Sequence, residues 1–320
     1  MTPTPRVARV TAHAKVNLIL RVLAREASGF HTLETLFARL ALGDSVTVRI
    51  TDAGRSVDCD TDIPGPREHN LAYRAAQAFA ALTGWPTGFA IEIEKRIPIG
   101  AGLGGGSADA GAVLRALAAL SPRQVGEAQL LATAAALGSD VPFLTTAAPL
   151  ALAWGRGERM LALPPLPERD VALIHPAFSV ATAAAYSWLA ASRESGNPPP
   201  GAHAHLGELT GSRFTAHARP SEADTAETVR SHPVPQLLSL ADLATWTSVA
   251  SLANNDFEPV VSAHHPEIAT ALSSLRAAGS AIALMSGSGS TVFGIFDSPP
   301  GGARFVHTRT LTEVSPVEIV

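Results

Sequence analysis

The chain has one cysteine, Cys59, so no internal disulfide can form, and such sparing use fits a reducing compartment. Charged residues make up only 16%, and the net charge of −4 runs against a general nucleic-acid binder, which carries a basic surface. No apolar run reaches the ~18 residues that a membrane-spanning helix needs. The opening Met1-Thr2-Pro3-Thr4-Pro5-Arg6 lacks the apolar core of a signal peptide. These absences lead to the expectation of a cytoplasmic protein with neither nucleic acid nor membrane as partner. With 46% hydrophobic residues in 320, a large core is available, enough for two domains or one large one.

Glycine is concentrated in one place. Ile97-Pro98-Ile99-Gly100-Ala101-Gly102-Leu103-Gly104-Gly105-Gly106-Ser107-Ala108-Asp109 holds five glycines within seven residues. Glycine reaches positive φ cheaply and lets backbone approach a ligand. Ala110, Val113, Leu114 and Leu117 then follow helical spacing, which predicts a helix starting near Ser107. Bare amides leading into a helix N-terminus form an anion site. The stretch therefore reads as a phosphate-cradling loop.

Two standard glycine motifs do not fit. Gly100, Gly102 and Gly105 match the dinucleotide spacing, but Pro98 intervenes, and the residues ~20 further on read as helix rather than as an acid at a strand end. Gly100 and Gly105 have the Walker A spacing, but Gly106 stands where the lysine is required. Cationic help for a bound phosphate must come from elsewhere in the chain, and Lys15 is the candidate.

Val10 to Val22 alternates with period two, which predicts a strand with one buried face. His13, Lys15 and Asn17 fall on the other face, open from the pattern alone to solvent or to a cleft. Val46–Ile50 and Phe89–Lys95 read as strands, and Asn70–Leu82 as a helix stopped at Gly84. Glu127–Leu137 is an alanine-rich helix stopped by Gly138. Asp140, two residues before Pro142, has the look of a helix N-cap. Leu163-Pro164-Pro165-Leu166-Pro167 is the best linker, dividing 1–163 from 168–320. Val171–Pro176 reads as a buried strand. Residues 192–235, rich in Pro, Gly, Ser, Ala and His, read as a surface insertion of flexible composition. Their histidines (His203, His205, His217, His232) lack metal-site spacing. Two strands, 281–285 and 291–296, flank a second glycine turn at 286–290.

Residues 98–108 resemble the signature loop of the galactokinase, homoserine kinase, mevalonate kinase and phosphomevalonate kinase (GHMP) superfamily. Ala14-Lys15-Val16-Asn17-Leu18, Gly29-Phe30-His31-Thr32-Leu33, Gly138-Ser139-Asp140-Val141-Pro142-Phe143, Asn254-Asn255-Asp256-Phe257-Glu258 and Ser286-Gly287-Ser288-Gly289 fall in the order of its branch serving isoprenoid-precursor synthesis. Apart from the insertion, the resemblance runs from Val7 to Phe296.

The resemblance implies an α+β fold of two domains with the active site in the cleft between them. The N-terminal domain would bind ATP and the C-terminal one would face the acceptor. The reaction implied is transfer of the ATP γ-phosphate, with Mg²⁺, to a hydroxyl of a small molecule carrying a cytidine diphosphate group. Asp140 would take or orient the hydroxyl proton, and Lys15 would keep Asp140 ionised and stabilise the transferred charge. Pro98, Ile99, Gly100, Ala101, Gly102, Leu103, Gly104, Gly105, Gly106, Ser107 and Ala108 would hold the phosphates, with Ser107 able to reach the metal. Asn70 and Lys95 would lie near the adenine. The acceptor would meet Asn17, Phe30, His31, Thr182, Tyr186, Gly287 and Gly289. The family usually has Tyr before the His, and Phe30 keeps the stacking face while losing a hydroxyl. Another superfamily kinase, or a nucleotide-binding protein without catalysis, remain the alternatives. The expected assembly is a monomer or a homodimer.

Overall fold

In the computed structural model, residues 6–25, 31–63, 65–195, 239–301 and 305–320 are described, and the side chains of residues 24, 25 and 31 are not. The alternation of 10–22 lies within strand β1, Val7–Arg25. Its antiparallel partner β2, His31–Thr51, joins 46–50 and the segment after Gly29 into one 21-residue strand. Apolar positions repeat with period two over 8–22 in β1 and over 36–40 and 46–50 in β2, and these positions are buried. β3 (Arg55–Cys59) and β4 (Gly88–Glu94) extend the sheet on one side, in the order β1-β2-β4-β3. β5 (Leu150–Gly155) pairs with β2 and with β6 (Arg159–Ala162).

Helices α1 (Leu71–Thr83), α2 (Gly105–Leu120), α3 (Glu127–Leu137) and α4 (Val141–Thr145) complete this half. The α2 positions 110, 113, 114 and 117 are all buried, as their spacing predicts. The helix starts two residues before the expected Ser107. Gly111 lets α4 press close, since a Cβ there would sit 2.6 Å from the Leu144 carbonyl carbon.

The second sheet is antiparallel, with β7 (Asp170–Ile174) between β10 (Val292–Phe296) and β11 (Val306–Arg309), and β9 (Ile282–Met285) beyond β10. Val171, Leu173, Ile282, Leu284, Phe293 and Ile295 face a core shared with the first sheet. Ala172, Met285, Val292 and Phe296 face the other way, toward α5 (Thr182–Glu194), α7 (Glu258–His264) and α8 (Pro266–Ala277). Helix α6 spans Trp246–Leu252.

The proline-rich link at 163–167 is packed rather than loose. Leu163 and Leu166 are buried, and the Trp246 indole N–H donates to the Pro167 carbonyl at 2.7 Å. Two short strands from beyond the link return to β1: β8 (Asn254–Asn255), parallel, and β12 (Glu318–Ile319), antiparallel. The expected insertion at 192–235 starts as the end of α5, and residues 196–238 lie outside the described residues. Among the described residues no helix is long and apolar enough to cross a membrane.

Candidate functional site

From Ala12 to Val22 β1 is covered on both faces, so the solvent alternative fails for the polar positions there. His13, Lys15 and Asn17 are 4%, 3% and 3% exposed. A buried ammonium needs partners. Lys15 Nζ donates to Asn17 Oδ1 at 2.8 Å and lies 3.3 Å from Asp140 Oδ2. Asn17 in turn donates through its amide nitrogen to Thr35 Oγ1 at 2.8 Å, and Thr35 donates to the Ile19 carbonyl. Asn17 is thus tied on both sides and orients the lysine. Thr35 was not legible as part of this chain of bonds, because only strand register brings it opposite β1.

Asp140 occupies the N-cap position of α4, yet its side chain makes no capping bond. The carboxylate turns to Lys15 instead and stays 28% exposed beside an ammonium that is 4% exposed.

The glycine loop is held from two sides. The Lys15 amide donates to the Leu103 carbonyl at 3.0 Å, and the Thr291 amide donates to the Ala101 carbonyl at 3.2 Å. Gly102 has φ +78°, and a Cβ there would lie 2.3 Å from the Ser286 carbonyl oxygen and 2.9 Å from that of Gly289. The two glycine turns therefore touch backbone to backbone, joining the halves of the molecule. Gly104, at φ +74°, ends the loop where α2 begins and leaves room for the Lys15 stem. The first free amides of α2 follow.

A cleft of about 350 Å³ opens along this loop, lined by 97–102, 104–107, Asp109, Asn70 and Lys95 among others. Leu103 and Ala108 lie behind its wall and are buried. Asn70 caps α1, accepting from the Ala72 and Tyr73 amides. Lys95 Nζ is bound by Asp44 and Asp109. Burial opposes its charge, but the two carboxylates outweigh that and hold the Lys95 proton more tightly than usual. Burial, with Asp44 beside it, pushes the Asp109 carboxyl up to about 7 against the opposing pull of Lys95. Asp44 also accepts from the Arg96 and Ile97 amides, so one ion cluster fixes the approach to the loop.

The residues expected on the acceptor side are placed unevenly. Thr182 Oγ1 lies 3.0 Å from Ser288 Oγ, which ties α5 to the second glycine turn. The Tyr186 ring stands edge-on to Phe257 at 4.8 Å. Burial, and then the nearby Asp140 charge, raise the Tyr186 hydroxyl above its ordinary value, which places α5 within electrostatic reach of Asp140. Gly287 and Gly289 have φ +59° and +91°, and a Cβ on Gly287 would sit 3.4 Å from Lys15 Nζ. Phe30 and the His31 side chain lie outside the described residues.

The 254–258 motif, to which no role was given from the sequence, supports this turn. Asn255, 2% exposed, donates to the Met285 and Gly287 carbonyls and accepts from the Phe257 amide. Asp256 accepts from the Val22 amide, and Glu258 accepts from that of Met285.

Comparison with known proteins gives the family. Residues 70–147 match the GHMP kinases N terminal domain, and residues 237–307 match the GHMP kinases C terminal family. The 4-diphosphocytidyl-2-C-methyl-D-erythritol kinase of Anaeromyxobacter dehalogenans (strain 2CP-1 / ATCC BAA-258) is 40% identical over 300 residues, covering 92% of this chain and 82% of its own. The enzyme of the same name from Moorella thermoacetica (strain ATCC 39073 / JCM 9320) is 36% identical, covering 98% of both chains. A crystal structure of 4-(cytidine 5'-diphospho)-2C-methyl-D-erythritol kinase superposes with a TM-score of 0.68 at 32% identity, over 94% of this chain and 98% of that one. Homoserine kinase from Cytophaga hutchinsonii ATCC 33406, at 18% identity and a TM-score of 0.62, shares the fold. The chain belongs to the GHMP kinases and, within them, to the 4-diphosphocytidyl-2-C-methyl-D-erythritol kinase family.

Proposed function

We propose that the protein transfers the γ-phosphate of ATP to the 2-hydroxyl of 4-diphosphocytidyl-2-C-methyl-D-erythritol, a step in making isoprenoid precursors. The observation that carries this reading is the Lys15–Asp140 pair, 3.3 Å apart, beside the glycine loop that opens α2. Phosphoryl transfer needs positioning and charge stabilisation more than covalent help. Asp140 takes the hydroxyl proton as the oxygen bonds to the γ-phosphorus and ADP leaves. Lys15 keeps Asp140 ionised and offsets the charge of the moving group.

The amides of 98–108 hold the phosphates at a helix N-terminus, where negative charge is favoured. Asn70 and Lys95 are assigned to the adenine end. Magnesium supplies charge neutralisation of the phosphates when bound. Ser107 carries an oxygen donor of the hard type it accepts. On the acceptor side, Phe30 and Tyr186 are assigned to the cytosine faces. His31, Thr182, Asn17 and the turn of Gly287 and Gly289 are assigned to the rest of the molecule. Residues 1–163 form the ATP-binding domain and also lend Asn17, Phe30 and His31 to the acceptor, while 168–320 form the substrate-side domain, in a cytoplasmic monomer or homodimer.

The test is ADP release from ATP and Mg²⁺ with 4-diphosphocytidyl-2-C-methyl-D-erythritol, beside galactose, homoserine and mevalonate. Release with the cytidine-bearing alcohol alone is expected. Release with another alcohol keeps the Lys15–Asp140 assignment and overturns the acceptor. No release from folded protein that still binds ATP overturns catalysis.

A further inference from the structure

Among the described residues Arg39 is the largest fully buried side chain, at 1% exposure, and no carboxylate pairs with it. A buried charge of this kind is costly unless its donors are used. Among the described residues its side-chain hydrogen bonds all go to one place. Nη2 donates to the Phe143 carbonyl at 2.6 Å and to that of Thr146 at 2.8 Å, and Nε donates to the Ala148 carbonyl at 3.0 Å. These carbonyls lie at the C-terminal end of α4 and just past it, where a cation is favoured. Asp140 stands at the other end of the same five-residue helix.

A second link reaches Lys15. In the β1–β2 register Lys15 sits opposite Arg39, and Asn17 opposite Phe37, so the four side chains share one face. The Arg39 guanidinium carbon lies 4.9 Å from the Phe143 ring centre. Phe143 stacks on Phe37 at 4.9 Å and 13°. Lys15 Nζ lies 5.7 Å from the centre of the Phe37 ring. Cation, ring, ring, cation run in series, with the rings fully buried.

We infer that Arg39 is a positioning residue for the phosphoryl transfer, setting Asp140 through the carbonyl end of α4 and Lys15 through the Phe143–Phe37 stack. This rests on the roles proposed above for Lys15 and Asp140. α4 has one and a half turns, too short to hold its own orientation. Arg39 supplies the anchoring that its length cannot. Burial, and then Arg115, draw the Arg39 proton affinity down to about 9, so the side chain remains a cation at neutral pH.

The test is a double-mutant cycle. Arg39→Lys, Arg39→Met and Phe143→Leu are each made alone and with Asp140→Asn, and kcat and KM are read from ADP release with ATP, Mg²⁺ and the cytidine-bearing alcohol. Arg39→Met is expected to lower kcat on the order of 10-fold or more, with both KM values within about 2-fold, because it acts only on the reacting groups. Arg39→Lys, which keeps a charge and part of the bonding, recovers part of the loss. In the Asp140→Asn background each further change costs clearly less than in the wild type, because the arm through Asp140 is already lost and only that through Lys15 remains. Equal losses in both backgrounds, or losses that appear in KM for ATP, overturn the inference and leave Arg39 a purely structural residue. Should Arg39→Met fail to fold, Arg39→Lys and Phe143→Leu decide by the same comparison. Asp140→Asn alone reads the site assignment, so its failure is told apart from that of Arg39.

Discussion

Lys15 and Asp140 form an ion pair of unequal burial: the ammonium is 4% exposed and the carboxylate 28%. One partner is fixed inside the protein while the other reaches the cleft. That asymmetry suits a group that must meet a hydroxyl while its charge is held from behind. Asp140→Asn is expected to lower kcat by on the order of 10²-fold or more with the fold intact, because the amide cannot take the proton. Near-normal turnover in the folded variant would return Asp140 to a merely local role at the start of α4. Lys15→Met should cost at least as much and should also destabilise, since it strips partners from Asn17 and Asp140.

Gly102 and Gly106 lie four residues apart and should respond in opposite ways to alanine. At Gly102 the new Cβ would meet the Ser286 carbonyl oxygen at 2.3 Å, on a residue with φ +78°. Backbone on both sides leaves nothing to swing away, and the αL conformation itself resists a side chain. Gly102→Ala should cost about 2 kcal/mol or more and part the two glycine turns. At Gly106 the nearest atom is Leu71 Cδ1 at 3.7 Å, within a helix. Gly106→Ala should be neutral or stabilise by about 0.5–1 kcal/mol. Urea unfolding of both variants checks the contrast, and equal costs would argue against the tight contact between the turns.

Much of this was readable from residue order. The alternation of 10–22, the helix after the glycine loop and the second glycine turn depend on local periods, and local periods are visible in a sequence. Burial of the second face of β1 was not visible, because it depends on which elements cover the strand. Period two says only that one face is apolar. Asp140 looked like a cap because acid-x-Pro is a common local pattern. Its turn away from the cap follows from Lys15, 125 residues distant. The packed link at 163–167 was hidden for the same reason: prolines announce a break in regular structure, but not that Trp246 will bond to one of them. Arg39 and Thr35 gave no signal at all, since their partners are set by strand register and by carbonyls.

Asn255 tests the support of the second turn. Its amide bridges the Met285 and Gly287 carbonyls, while its oxygen accepts from Phe257. Asn255→Leu strips the partner from three backbone groups, two buried and one part-buried, each buried one costing about 1–3 kcal/mol, for a total of about 2–4 kcal/mol. Asn255→Asp should be no better, because a carboxylate oxygen would face two carbonyls. Gly287 lies against Lys15, so both variants should lower kcat as well as stability. A stable Asn255→Leu protein with full turnover would show that the turn holds itself.

The last prediction concerns two buried groups whose pH effects oppose each other. Burial, then Arg39 and Arg115, lower His13 to about 4 from 6.5. Between these values the unfolded chain binds a proton at His13 and the folded one does not, so stability from this group falls as pH drops. Asp109 is raised to about 7 from 3.8. Between those values the folded protein keeps a proton that the unfolded chain has lost. Its contribution is greatest below 3.8 and fades as pH rises to about 7. From about 4 to 6.5 the two slopes, each about 1.4 kcal/mol per pH unit at full effect, nearly cancel. Asp109→Asn should therefore make stability climb more steeply with pH across that window than in the wild type, and His13→Gln should make it fall. Urea unfolding at three pH values within the window reads both slopes. Parallel pH curves for the two variants would mean that neither group titrates as its burial implies, and that the Asp44–Lys95–Asp109 cluster carries a full negative charge beneath the glycine loop throughout.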